Sequence, residues 1–236
     1  VSTDTLQLAS GKIIQTAAYS VKTNKYQKAW GNALPLIKKA IRKRCSLLGD
    51  YPYDNVTVVD AYVDYAGGME YPTITAISGI RTEKELEGLI EHEVGHNWFY
   101  AALASNERDH AWMDEGMNTY YGVRYWNKEV DINVRPVVKE KFLQERMPDN
   151  MNFFTLENVV NERIDQPIDL TSDQYSGINY DASVYHFTSR WLQELEKIIG
   201  KQLFDSCMKE YYRRWQFKHP YPEDYKQVIE DVSKVN

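Results

Sequence analysis

Apolar residues first fall into a helical rhythm between about Lys25 and Leu48. Trp30, Leu34, Ile37, Ala40, Ile41, Cys45 and Leu48 recur three or four positions apart, the spacing that puts side chains on one helix face. Pro35 is expected to interrupt or kink this helix, and Gly49 to stop it. The rhythm then changes. Val56-Thr57-Val58-Val59-Asp60-Ala61 is a β-branched run that predicts a strand, and Lys12–Ser20 predicts another. Residues 1–11 are polar and read as a loose lead-in. Gly67-Gly68 is expected to break the chain before a further extended segment, Tyr71–Ile77, whose Pro72 places its start at a sheet edge. Thr82-Glu83-Lys84-Glu85 is a capping-box sequence. It opens a helix expected to run to about Ala104, with Leu86, Leu89, Ile90, Val94, Trp98 and Ala101 on its buried side. A polar turn over Ser105–Ala111 precedes a helix from Trp112 to about Lys128. Further helices are expected at 134–146, 181–199, 201–216 and 222–234, with Gly200 dividing the second of these from the third.

The sum is an α+β chain: a small mixed sheet in the first third, then mainly helices. At 236 residues it suits one compact unit, with an α/β lobe over about 12–104 and a helical lobe over about 105–236. Composition alters this little. A net charge of −6 gives no electrostatic reason to expect nucleic acid, and the basic run Lys38–Arg44 reads as a solvated helix face. No apolar run approaches the ~20 residues of a membrane span. No signal segment or initiator Met opens the chain, so Val1 reads as a processed or engineered start and the compartment is left unassigned. Cys45 and Cys207 are no disulfide framework and read as buried thiols in helices.

The chemistry centres on Glu91-His92-Glu93-Val94-Gly95-His96. His92 and His96, four apart on a helix, share a face and can reach one metal ion, with Glu93 placed as general base rather than ligand. Beyond eighteen intervening residues after His96, Glu115 in Trp112-Met113-Asp114-Glu115-Gly116 opens the next helix with a carboxylate. A His₂Glu set leaves the fourth position of a tetrahedral site to water, which is the catalytic arrangement, and its N and O donors favour one zinc ion.

These motifs resemble the gluzincin metallopeptidases of the aminopeptidase N family, which includes the leukotriene-hydrolase aminopeptidases. Asp114-Glu115-Gly116 is similar to that family's N-E-G, Gly67-Gly68-Met69-Glu70 to its G-x-M-E-N, and Tyr180-Asp181 to the start of its Y-E-K-G. The resemblance implies a thermolysin-like zinc metallopeptidase catalytic domain that hydrolyses the N-terminal residue of peptides. It implies that Glu70 binds the substrate's free α-amino group, that Gly67, Gly68 and Met69 line the peptide's path, and that Tyr180 donates to the oxyanion. It further implies a place for Tyr175 near the substrate, and for Asp114 behind the ligand carboxylate. Three positions depart from the pattern: Tyr71 where Asn is usual, Asp114 where Asn is usual, and Ala182-Ser183 where Lys-Gly is usual. Family members carry a β-rich domain before this region and a helical one after it, so those flanking domains are expected to complete the cleft. A zinc endopeptidase of the same fold, or a non-catalytic binding or scaffold relative, are the alternatives.

Overall fold

The computed structural model describes residues 1–21, 27–61, 67–80, 82–126 and 159–235. The expected helix at 134–146 and the end of the Trp112–Lys128 helix lie outside them. The chain divides into two compact units, one of Val1–Ser105 with Ile199–Asn236 and one of Asn106–Ile198.

The first unit is built on a five-stranded mixed sheet in the order β1-β2-β3-β5-β4. Its strands are β1 (Ser2–Gln7), β2 (Ile13–Tyr19), β3 (Asn55–Asp60), β4 (Gly67–Met69) and β5 (Ile74–Ser78). β2, β3 and β5 run parallel, and the edge strands β1 and β4 run antiparallel to their neighbours. Two expectations are corrected here. The polar lead-in is a strand: only Leu6 in β1 is buried, which is why no hydrophobic alternation announces it, and its backbone is held by register with β2. Gly67-Gly68 is not a break but the body of β4, paired through Gly68↔Ile77.

One face of the sheet is closed by helices. Ile14, Thr16, Ala18, Val56, Val58, Thr75 and Ile77 are all buried, as are Ile37 and Ile41 of α2 and Leu86 and Ile90 of α3. The first helical stretch is α1 (Gln27–Trp30) and α2 (Ala33–Leu47). The interruption falls at Gly31-Asn32, ahead of Pro35. Pro35 itself sits in the first turn of α2, where its missing N–H has no intrahelical partner to lose. The basic run is only partly solvated. Lys38 pairs with Asp4 and Lys39 with Glu87, but Arg44 is buried against Glu91. Cys45 is half-buried and Cys207 buried, and both are free thiols.

α3 (Glu83–His96) begins with the expected capping box. Glu85 N–H donates to the Thr82 hydroxyl, and the Glu85 carboxylate accepts from Thr82 N–H. At Asn97 the helix widens into a π-helical segment, Asn97–Leu103, which ends at left-handed Ala104. Asn97 is fixed there by two bonds. Its amide nitrogen donates to the Val94 carbonyl at 3.0 Å, and its oxygen accepts from Thr73 N–H at 2.9 Å.

The second unit holds a 3₁₀ turn (Ala111–Met113), α4 (Glu115–Tyr125), a 3₁₀ turn (Ser172–Gln174), a short α5 (Gly177–Asn179), a π-helical segment (Tyr180–Phe187) and α6 (Thr188–Ile199). Gly116 lets α4 approach its neighbour closely: a Cβ there would stand 2.4 Å from Thr188 Cγ2 and 2.5 Å from the Val184 carbonyl oxygen. After Gly200, whose φ of +87° suits glycine, α7 (Lys201–Trp215) and α8 (Pro222–Ser233) pack on each other through Tyr211 and Tyr225 within the first unit.

Candidate functional site

In the first unit, α3 presents His92 and His96 one turn apart. Their Nε2 atoms lie 3.3 Å apart with the rings nearly perpendicular at 86°. Two nitrogens each about 2.0–2.1 Å from one tetrahedral zinc stand about 3.3 Å apart by simple trigonometry. The pair therefore has the bite of a two-point metal ligand. His96 is buried and His92 half-buried.

Glu93 is buried between them in sequence but turned to β4. A Cβ on Gly68 would come within 2.4 Å of the Glu93 Cδ and Oε1. The strand backbone thus lies directly against the carboxylate, and glycine is what permits it. Met69 and Glu70 follow along the same strand and its end, both half-buried. Gly67, Gly68, Met69 and Glu93 are accordingly gathered in one place by the pairing of β4 with β5 and the packing of α3 on the sheet.

In the second unit, Glu115 is the first residue of α4, where the helix dipole favours a carboxylate. Asp114, just before it, is buried. A residue in direct contact with Glu115 is absent from the sequence-based expectations. Tyr185 donates its phenol O–H to Glu115 Oε1 at 2.6 Å. Tyr180 packs edge-on against Tyr185 at 6.1 Å and against Tyr175 at 5.8 Å. Tyr175 is turned to its own loop, donating to the Pro167 carbonyl at 2.9 Å and accepting from Leu170 N–H at 3.1 Å. Tyrosines 175, 180 and 185 stand at five-residue steps, a regularity that could have pointed to Tyr185.

Burial, reinforced by the Glu115 charge, pushes the Tyr185 phenol far above its ordinary value. Tyr180 is raised for the same reasons in the same order, with Asp114 and Glu107 adding to Glu115. Both phenols stay protonated donors across the neutral range.

The remaining histidines have other partners. His110 Nδ1 lies 2.7 Å from Asp169 Oδ1, which also accepts from Trp112 Nε1 at 2.9 Å and so anchors the turn before Glu115. His186 faces Asp181 at 3.6 Å, and burial holds its pKa down. His219 Nδ1 is 2.9 Å from the Ala104 carbonyl oxygen in a loop.

A mixed sheet backed by an H-E-x-x-H helix, with a helix-opening glutamate in the region that follows, defines the metallopeptidase class of fold. The chain belongs to peptidase family M1, whose domain it matches over residues 46–236. It is 26% identical over 183 residues to leucine aminopeptidase 2 of Chaetomium globosum, covering 71% of this chain and 28% of that protein. It is 26% identical over 197 residues to a leukotriene A-4 hydrolase homolog of Botryotinia fuckeliana, covering 77% and 28%. Among solved structures it superposes on a mutant M1 zinc metallopeptidase from Deinococcus radiodurans bound to a Tyr-Ser-Ala substrate. That match has a TM-score of 0.67 at 15% identity, over 99% of this chain and 49% of that one. The chain thus spans under a third of these two relatives' length.

Proposed function

We propose that this chain is the catalytic domain of a zinc aminopeptidase, with His92, His96 and Glu115 holding one zinc ion. The observation that carries the reading is the 3.3 Å bite of the His92 and His96 nitrogens on a helix of an M1 family domain. When bound, zinc would polarise the scissile carbonyl and acidify water.

The chain's own residues supply the rest. Glu93 takes a proton from the attacking water and returns it to the leaving amine, and its contact with the β4 backbone holds the carboxylate for both transfers. A phenol donates to the carbonyl oxygen as negative charge develops there. Tyr180 is the residue for this role, with Tyr185 packed beside it and Tyr185's own O–H proton committed to Glu115. Both are kept protonated by burial. Asp114 supports the ligand carboxylate from behind. Gly67 and Gly68 present an edge-strand backbone on which an extended peptide can pair, Met69 lines the first side-chain position, and Tyr175 borders it through Tyr180.

Glu70, at the end of that strand, pairs with the substrate's terminal ammonium. This fixes the cut one residue from the chain's start. The substrates are peptides with a free N-terminus, and flanking domains complete the cleft. No nucleic acid is involved, and among the described residues no helix is long and apolar enough to cross a membrane.

Elemental analysis after zinc loading, followed by assay on free and N-acetylated peptides, tests this. One equivalent of zinc is expected, with cleavage of the free peptide at least ~100-fold faster and that preference lost in Glu70→Ala, since the two forms differ by one desolvated charge pair. Equal cleavage of both forms by the wild type would leave an endopeptidase. Failure to take up zinc would leave a non-catalytic relative.

A further inference from the structure

One buried cation in the first unit is not accounted for by this chemistry. Arg44, in the last turn of α2, is 2% exposed. Its Nη2 donates to Glu91 Oε1 at 2.5 Å and lies 3.4 Å from the Glu91 carbonyl oxygen. The same guanidinium lies over the Phe99 ring, 5.8 Å from its centroid. Glu91 immediately precedes His92, and Phe99 follows His96 by three residues on the π-helical segment. A single side chain from α2 therefore holds α3 on both sides of the two histidines.

We propose that Arg44 and Glu91 form a positioning pair that fixes the rotation of α3, and with it the 3.3 Å bite of His92 and His96. Desolvating two charges is costly, and well-packed apolar residues of similar volume commonly replace such a pair without loss of stability. What apolar residues do not replace is directionality. One guanidinium nitrogen, Nη2, reaches both a side-chain oxygen and the main-chain oxygen of Glu91 while the guanidinium plane lies over Phe99, and two directions of contact set the angle of the helix as well as its distance. Such a device belongs where α3 gives way to the π-helical segment, because the regular i to i−4 ladder there no longer sets the angle of the last turn. His96 is the residue at that junction.

The inference rests on the zinc reading for its functional consequence, and the test separates the two. The double variant Arg44→Met with Glu91→Leu is compared with wild type and with Glu91→Gln, which keeps the oxygen acceptor. The readings are the thermal midpoint of the metal-free protein, zinc affinity by chelator competition, and amide hydrogen exchange over residues 91–99. The double variant is expected to keep its midpoint, bind zinc at least tenfold more weakly, and exchange faster at the junction. Glu91→Gln should recover most of the affinity. Zinc affinity within twofold of wild type in the double variant overturns the proposal. If the wild type itself binds no zinc, the functional reading fails, and exchange over 91–99 decides the positioning pair: unchanged rates overturn it. Loss of the midpoint and recovery of affinity together, with the folded fraction binding zinc as the wild type does, also overturns it by showing a role in stability alone.

Discussion

Gly68→Ala isolates the contact between β4 and Glu93. The substitution adds one methyl group to a backbone whose φ lies outside the left-handed range, so the strand accepts it. Its Cβ would stand 2.4 Å from Glu93 Cδ, whereas ordinary contacts lie at 3.4–4 Å. The carboxylate must retreat by about 1 Å or more, taking 3.4 − 2.4 as the minimum. Two consequences separate. Alanine restrains the unfolded chain more than glycine and suits a strand interior better by about 0.5–1 kcal/mol, which offsets part of the crowding, so the thermal midpoint should move only a few degrees. A catalytic base displaced by about 1 Å costs about 100-fold in rate, or ~2.7 kcal/mol of barrier. The measurement is kcat on a free aminoacyl fluorogenic substrate, with zinc content and circular dichroism as controls. Gly177→Ala, where the added Cβ meets nothing within 4 Å, serves as the glycine control. A fully zinc-loaded, folded Gly68→Ala protein with kcat within threefold of wild type would refute the reasoning.

Tyr180→Phe should lower kcat by about 100- to 1000-fold with little change in KM, as loss of one oxyanion donor does, while Tyr185→Phe removes the hydrogen bond to Glu115 and should weaken zinc binding instead; a larger loss of kcat in a zinc-loaded Tyr185→Phe would move the oxyanion role to Tyr185. Glu93→Gln should retain zinc and lose about 100- to 10,000-fold in kcat, the range for a general base, and loss of zinc on that substitution would instead make Glu93 a ligand. Burial raises the phenols of Tyr51, Tyr120, Tyr185, Tyr211 and Tyr212 well above their ordinary value. Folded pKa values above unfolded ones give stability that is whole below about pH 10 and falls above it, by about 1.4 kcal/mol per pH unit for each phenol kept protonated. Thermal midpoints flat from pH 7 to 9 and falling steeply above 10 are expected, and a flat profile to pH 12 contradicts the burial. Cys45, its thiol pushed up to about 11 chiefly by burial, should react with a disulfide reagent at pH 8 at least tenfold more slowly than a free thiol, since its thiolate fraction is suppressed.

The sequence by itself determined the parts of this protein that are local. Thr82 and Glu85 cap a helix because the pairing needs only four consecutive residues. His92 and His96 share a face because helical geometry places i and i+4 together. The β-branched runs became β2, β3 and β5 because alternation reports burial on one sheet face. Tertiary structure decided whatever depended on a distant partner. β1 is a strand only through its register with β2, having just one buried side chain to advertise it. Gly67-Gly68 is a strand rather than a break because β5 supplies the pairing that a glycine pair does not signal. Arg44 reads as one more charge on a basic helix face until Glu91, 47 residues away, is seen to bury it. Three tyrosines at equal spacing carry the same local information, and packing is what turns Tyr185 to Glu115 and Tyr175 to its own loop. A sequence pattern reports periodicity and nearest neighbours. Which of several equivalent side chains meets a given atom is set by packing between segments that the pattern treats as independent.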